Sequence, residues 1–104
     1  METTVEMRRH QRLETFRAIM VSPNGHMHTA FVTDLSVGGA RLSLPDDLIP
    51  YTGMILKISF SCDSDAVLLL GRVVRVGVDH MGVKFEEDQR QGIRRVLEAA
   101  GSFH

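Results

Sequence analysis

The stretch that decides the fold is DLSVGG, residues 34–39, which has the pattern D-x-S-x-x-G. It lies between two runs, residues 27–34 and 40–44, that are rich in β-branched or alternating apolar residues. Such runs, separated by glycines, are typical of neighbouring β-strands. The stretch is therefore predicted to connect two strands of a β-sheet.

Strand geometry assigns directions to the side chains of this stretch. Residues two apart in a strand point to the same face, so Asp34 and Ser36 are expected to project together. By the same rule Leu35 and Val37 are expected to turn into a core. A carboxylate beside a hydroxyl on an outer face can accept hydrogen bonds from a polar ligand.

The two glycines of the stretch, Gly38 and Gly39, are predicted to adopt positive φ and to remove side chains where the backbone turns tightly or approaches a ligand. A second pattern, R-x-x-x-R, occurs earlier in the chain as RRHQR, residues 8–12. Taken separately, the arginines also fit a solvated basic tail, and D-x-S-x-x-G also fits an ordinary hairpin turn. The order and separation of the two patterns favour a shared function.

In this order, with GRVVR at residues 71–75 and GVKF at residues 82–85, the patterns resemble a PilZ domain. PilZ domains are bacterial receptor modules for the second messenger cyclic di-GMP. The resemblance extends over roughly residues 7–100. It implies an all-β fold, a six-stranded antiparallel β-barrel of the split-barrel-like type with a C-terminal α-helix, and a binding module rather than an enzyme.

The chemistry of the ligand suits these residues. Guanine presents O6 and N7 acceptors to an arginine and N1–H and N2–H₂ donors to a carboxylate, while each phosphate attracts a guanidinium. The resemblance implies that Arg8 and Arg12 hold guanine edges and phosphates. Members of the family bind either one ligand or a stacked pair. Because Met7 rather than a further arginine precedes Arg8, the resemblance favours one ligand here. The full set of predicted ligand-binding residues is Arg8, Arg9, Arg12, Asp34, Ser36, Gly38 and Gly39.

Short apolar runs separated by turn residues predict six strands, at residues 14–22, 27–34, 40–44, 54–60, 67–78 and 83–86. The fifth run is long enough to pair with two neighbours in a bent barrel, with Gly71 and Gly77 as predicted bends or bulges. Near the C-terminus, apolar residues take the i, i+3, i+4, i+7 spacing of a helix. Asp88 and Gln91 are predicted to form its capping box, and Gly101 to end it.

Residues 1–12 are predicted to be a flexible segment carrying the R-x-x-x-R pattern, and residues 13–104 a single barrel domain with its C-terminal helix. The N-terminal segment has few apolar residues, so it cannot offset the entropy of ordering without a ligand. It is therefore expected to order on cyclic di-GMP and to relay the signal to a protein partner.

The amino-acid composition limits the classes of partner that the chain is expected to bind. The 12 Lys and Arg residues against 13 Asp and Glu residues give a net charge of −1, which provides no general attraction to nucleic acid polymers. The longest apolar run is too short to span a bilayer, so no membrane insertion is predicted. Cys62, the only cysteine, allows no intramolecular disulfide, and its polar neighbours suggest a turn. A cytoplasmic location is expected.

Alternative functions follow from the same residues. The chain could be a PilZ-fold adaptor that binds proteins without a nucleotide, or a small barrel for single-stranded nucleic acid. The second needs aromatic residues in a basic groove, and Tyr51 is the only Tyr or Trp. His26 and His28 share a strand face but have no third ligand nearby, so neither a metal site nor a cofactor is predicted. No catalytic residues are predicted.

Overall fold

The computed structural model of the protein describes residues 16–62 and 65–101. The predicted flexible segment, residues 1–12, lies outside this range. The described elements are β1 (Arg17–Val21), β2 (Met27–Leu35), β3 (Gly39–Ser43), β4 (Ile55–Cys62), β5 (Asp65–Val76), β6 (His80–Phe85) and α1 (Arg90–Ala100). The predicted six-stranded barrel with a C-terminal helix is confirmed.

The six strands form a closed antiparallel barrel in the order β1-β2-β3-β6-β5-β4, with β4 returning to β1. β5 pairs with β4 through residues 65–72 and with β6 through residues 71–76, so the long strand serves two neighbours as predicted. β6 begins at His80, three residues earlier than predicted. Residues 80–82, which were predicted to form a turn, belong to the strand because Met81 packs in the core. The turn before β6 is shorter as a result.

The barrel interior is filled by one side chain from every second position of each strand. The largest side chains with less than 2% exposure on the strands include Met20, Leu42, Ile58, Phe60 and Val73. Burying such a side chain stabilises the fold by about 1.5–3 kcal/mol. Cys62 belongs to this core at the end of β4, so the prediction that it lies in a polar turn is wrong. It lies two residues after Phe60 and therefore shares its inward direction.

The start of α1 differs from the prediction. Asp88 has a φ of 67°, and no side-chain hydrogen bond caps the helix, so the proposed capping box does not form. Instead the Gln89 side chain accepts a hydrogen bond from the Leu70 N–H (2.7 Å) and donates one to the Leu70 carbonyl (2.9 Å). This amide ties the helix to β5. Gly101 ends the helix in the left-handed conformation, as predicted.

The strand irregularities do not lie at the predicted glycines. Register shifts occur between Val73 and Arg75 in β5 and between Val32 and Asp34 in β2, rather than at Gly71 or Gly77. Gly71 is buried, where a Cβ would come within 3.0 Å of an Ile58 methyl group.

Among the described residues, no helix is both long and apolar enough to cross a membrane.

Candidate functional site

A β-bulge in β2 turns Asp34 to the outer surface. Burial alternates regularly along the strand up to Val32, but Thr33 and Asp34 are then both exposed and Leu35 is buried. A bulge places one extra residue in a strand and so shifts the alternation that follows. Without the extra residue, strict alternation would direct Asp34 into the core. The bulge thus presents the carboxylate and keeps Leu35 inside.

Ser36 begins the turn that joins β2 to β3. Its N–H donates a hydrogen bond to the Gly39 carbonyl (2.9 Å), and its hydroxyl lies 3.4 Å from the same oxygen. The latter distance is long for a hydroxyl donor, so the side chain can turn to a ligand. Val37 at the tip is 74% exposed, and the prediction that it faces the core is therefore wrong. The strand ends at Leu35, so strand alternation does not extend to Val37.

The two glycines of the turn have different roles. Neither has a positive φ, which contradicts the predicted backbone conformation. A Cβ on Gly39 would overlap the Val83 carbonyl oxygen and lie 3.2 Å from the Lys84 Cα. A Cβ on Gly38 would have no atom within 4 Å. The backbone of β6 therefore requires a residue without a side chain at Gly39, while the predicted approach to a ligand stays a prediction.

The four described site residues, Asp34, Ser36, Gly38 and Gly39, line one open depression of about 290 Å³, which we call the Asp34 hollow. Arg41 of β3 and Lys84 of β6 also line it, and neither was predicted from the sequence. Arg41 lies two residues after Gly39 in the same strand, so strand alternation could have indicated that Arg41 faces the same side of the sheet as Gly39. Lys84 reaches the hollow only through the pairing of β3 with β6. Arg8, Arg9 and Arg12 lie outside the described residues.

The Asp34 carboxylate is only partly engaged. Its Oδ1 accepts a hydrogen bond from the Leu35 N–H at 2.9 Å. No described residue forms a hydrogen bond with its second oxygen. The Phe85 N–H donates to the Gly38 carbonyl (2.9 Å), which fixes the floor of the hollow against β6. The hollow therefore has a rigid backbone and one available carboxylate oxygen.

A second depression, of about 400 Å³, lies beside the β1–β2 hairpin. The buried His28 accepts or donates at both nitrogens, with Asp47 Oδ1 3.0 Å from Nδ1 and Ser22 Oγ 3.3 Å from Nε2. The His28 hydrogen bond holds the pKa of the Asp47 carboxyl below its ordinary value. The order of atoms is that of a Ser-His-Asp triad. However, the Ser22 hydroxyl donates to Asn24 Oδ1 at 2.5 Å, so the network fixes the hairpin.

In the described part of the chain, no group of three His, Cys, Asp or Glu residues could hold a metal.

The closed barrel with the Asp34 hollow on its outer face places this chain among the small β-barrel domains. A family model for the PilZ domain matches residues 6–99, so this chain belongs to the PilZ domain family, a family of cyclic di-GMP receptors. The crystal structure of the PilZ domain of CeSA from a cellulose-synthesising bacterium aligns with a TM-score of 0.69. The two chains are 21% identical, over 86% of this chain and 93% of the other, which supports the shared fold. A search of curated proteins found no significant match.

Proposed function

We propose that this domain binds cyclic di-GMP at the Asp34 hollow, in the cytoplasm, and relays the signal through residues 1–12 to a protein partner. The observation that carries the proposal is the bulge that presents Asp34 beside Ser36 on a rigid backbone floor. The Asp34 oxygen that no described residue contacts is a charge-assisted acceptor for the N1–H and N2–H₂ donors of guanine. Ser36 offers a hydroxyl to a phosphate or base atom.

The size of the hollow supports a site to which a second segment of the chain contributes. Enclosed ligand sites have volumes of about 300–1,000 Å³, and this open hollow of about 290 Å³ leaves much of a dinucleotide exposed. A covering segment with arginines would both shield the ligand and neutralise its phosphates. Arg8 and Arg12 of the R-x-x-x-R pattern provide such groups.

The direction of the chain supports this role for the arginines. β1 is antiparallel to β2, and the Phe16 carbonyl accepts a hydrogen bond from the Val32 N–H (2.8 Å). This hydrogen bond places Phe16 beside Val32, two residues from Asp34. The segment that precedes Phe16 therefore joins the barrel close to the Asp34 hollow. Arg12 precedes Phe16 by four residues, which span at most about 14 Å when extended. Arg12 is therefore within reach of a ligand in the hollow.

Direct binding is the first test. Calorimetry with the full chain is expected to show saturable heat with cyclic di-GMP, much weaker binding of GMP and linear RNA, and one ligand per chain. The single ligand is expected because Met7 precedes Arg8. Folded protein that gives no heat at high micromolar cyclic di-GMP would exclude the proposal and favour the adaptor function.

The relay is tested by amide hydrogen exchange. Residues 5–13 are expected to exchange rapidly without ligand and to gain protection with saturating cyclic di-GMP, because ligand contacts offset the entropy of ordering. Exchange in β3 and β6 gives the internal control, since both strands are already paired in the barrel. Equal exchange of residues 5–13 in both states, with binding confirmed, would contradict the ordering step.

A further inference from the structure

We propose that Arg41 and Lys84 form a phosphate-binding subsite within the Asp34 hollow. The inference rests on the proposed function, because it assigns one phosphate of the dinucleotide to the barrel itself. Neither residue belongs to the R-x-x-x-R or D-x-S-x-x-G pattern. Their part in the site follows from the strand pairing that brings them to the same hollow.

Strand register places the two cations on either side of the hollow floor. Arg41 pairs with Asp34 on β2, and Lys84 pairs with Gly39 on β3. Both side chains point outward and are exposed. Lys84 pairs with Gly39 and Arg41 pairs with Gly82, so neither cation faces a side chain on its partner strand. The two cations are thus diagonal neighbours on the outer face of β3 and β6, where one anion can contact both.

No described residue forms an ion pair with either of these two side chains, although the Asp34 carboxylate lines the same hollow. Arg72 on the neighbouring strand pairs with Glu86 at 3.2 Å, and Arg95 pairs with Asp65 at 2.9 Å. By contrast, Arg41 and Lys84 form no ion pair or side-chain hydrogen bond with any described residue. Two neighbouring cations that no described residue pairs suit a phosphate, with which arginine forms a bidentate contact and lysine a point-charge contact.

This subsite divides the ligand between two parts of the protein. Asp34 accepts from a guanine edge, while Arg41 and Lys84 neutralise one phosphate. Arg8 and Arg12 remain for the second phosphate and the other guanine edge. The barrel can therefore hold the ligand without the N-terminal arginines, and variants lacking Arg8 and Arg12 are expected to retain weak binding.

Calorimetry on full-length variants tests the assignment. Lys84→Gln and Arg41→Gln are each expected to weaken cyclic di-GMP binding by about tenfold and to reduce its dependence on salt concentration, because each removes a charged contact to phosphate. The control is Lys57→Gln, which removes an outward lysine from β4, away from the hollow. It is expected to bind like the unaltered protein. Unaltered affinity and salt dependence in Lys84→Gln and Arg41→Gln, with affinity lost in Arg8→Ala, would overturn the subsite and leave the proposed function standing.

An anion that lacks guanine separates the two proposals. In nitrogen-labelled full-length protein, titration with inorganic pyrophosphate is expected to shift the amide resonances of Gly38, Gly39 and Lys84. The shifts are expected to disappear in the doubly substituted Arg41→Gln/Lys84→Gln protein. If cyclic di-GMP does not bind but these shifts occur, the anion subsite stands and the proposed function fails. Absence of local shifts with pyrophosphate would overturn the subsite.

Discussion

Replacing Gly39 by alanine is expected to lower the free energy of unfolding by about 3 kcal/mol, because the new Cβ overlaps the Val83 carbonyl oxygen. The obstruction is backbone, so relief requires β3 and β6 to separate where they begin to pair. For a domain of this size the melting temperature is expected to fall by roughly 15 °C. Thermal unfolding followed by circular dichroism measures the change.

The matched control is Gly38→Ala, which adds the same methyl group one residue earlier. Its Cβ meets no atom within 4 Å and its φ is not positive, so stability is expected to change by less than about 0.5 kcal/mol. Calorimetry with cyclic di-GMP on Gly38→Ala then tests whether the ligand packs against the turn, because the added methyl group would weaken the binding of a ligand that does. Equal melting of the two variants would contradict the close approach of β6 to Gly39.

Arg8→Ala and Arg12→Ala are each expected to weaken cyclic di-GMP binding by about 10- to 100-fold, because a charged hydrogen bond is worth about 1.5–3 kcal/mol. The melting temperature is expected to stay the same, since the predicted role of both arginines is with the ligand. Arg9→Ala is the matched comparison in the same segment, and although Arg9 belongs to the predicted set, a much smaller effect is expected because Arg9 is not one of the two arginines of the R-x-x-x-R pattern. Calorimetry and thermal melting on the three variants measure both properties.

Two outcomes would contradict this assignment. A large fall in melting temperature for Arg8→Ala or Arg12→Ala would make the arginines structural. An affinity loss for Arg9→Ala as large as for Arg8→Ala would show that the R-x-x-x-R pattern does not define the contacts. Asp34→Ala is expected to weaken binding similarly, with an added stability cost because Asp34 Oδ1 accepts from the Leu35 N–H.

Local periodicity was sufficient to predict the strands and helix of this domain. Alternation of apolar and polar residues marks β3 and β4, and the stripe that includes Val96 and Ala100 marks the helix, where both residues are buried. Such patterns carry information because each depends on neighbours in the chain. The closed order of the strands came instead from the family resemblance, since alternation does not specify which strands pair.

Features that depend on distant residues were missed. The bulge at Asp34 arises from the register of β2 against β3, and Lys84 enters the site through the register of β3 against β6. The need for glycine at position 39 comes from Val83, more than forty residues away in the chain. The helix start depends on Gln89 meeting the Leu70 backbone. None of these contacts leaves a local pattern in the sequence.

The closed ring of strands limits how another protein can recognise this domain. Each of the six described strands has a paired neighbour on both sides, so an unpaired side is confined to part of a strand, as at residues 65–69 of β5, which pair with β4 alone. A partner that recognises proteins by adding its own strand needs such an edge, and so does edge-to-edge aggregation. With so little free edge, a partner of this domain is expected to contact side chains, turns or a bound nucleotide on the outside of the barrel. Recognition then depends on surface chemistry, which a small ligand with two phosphates can change substantially.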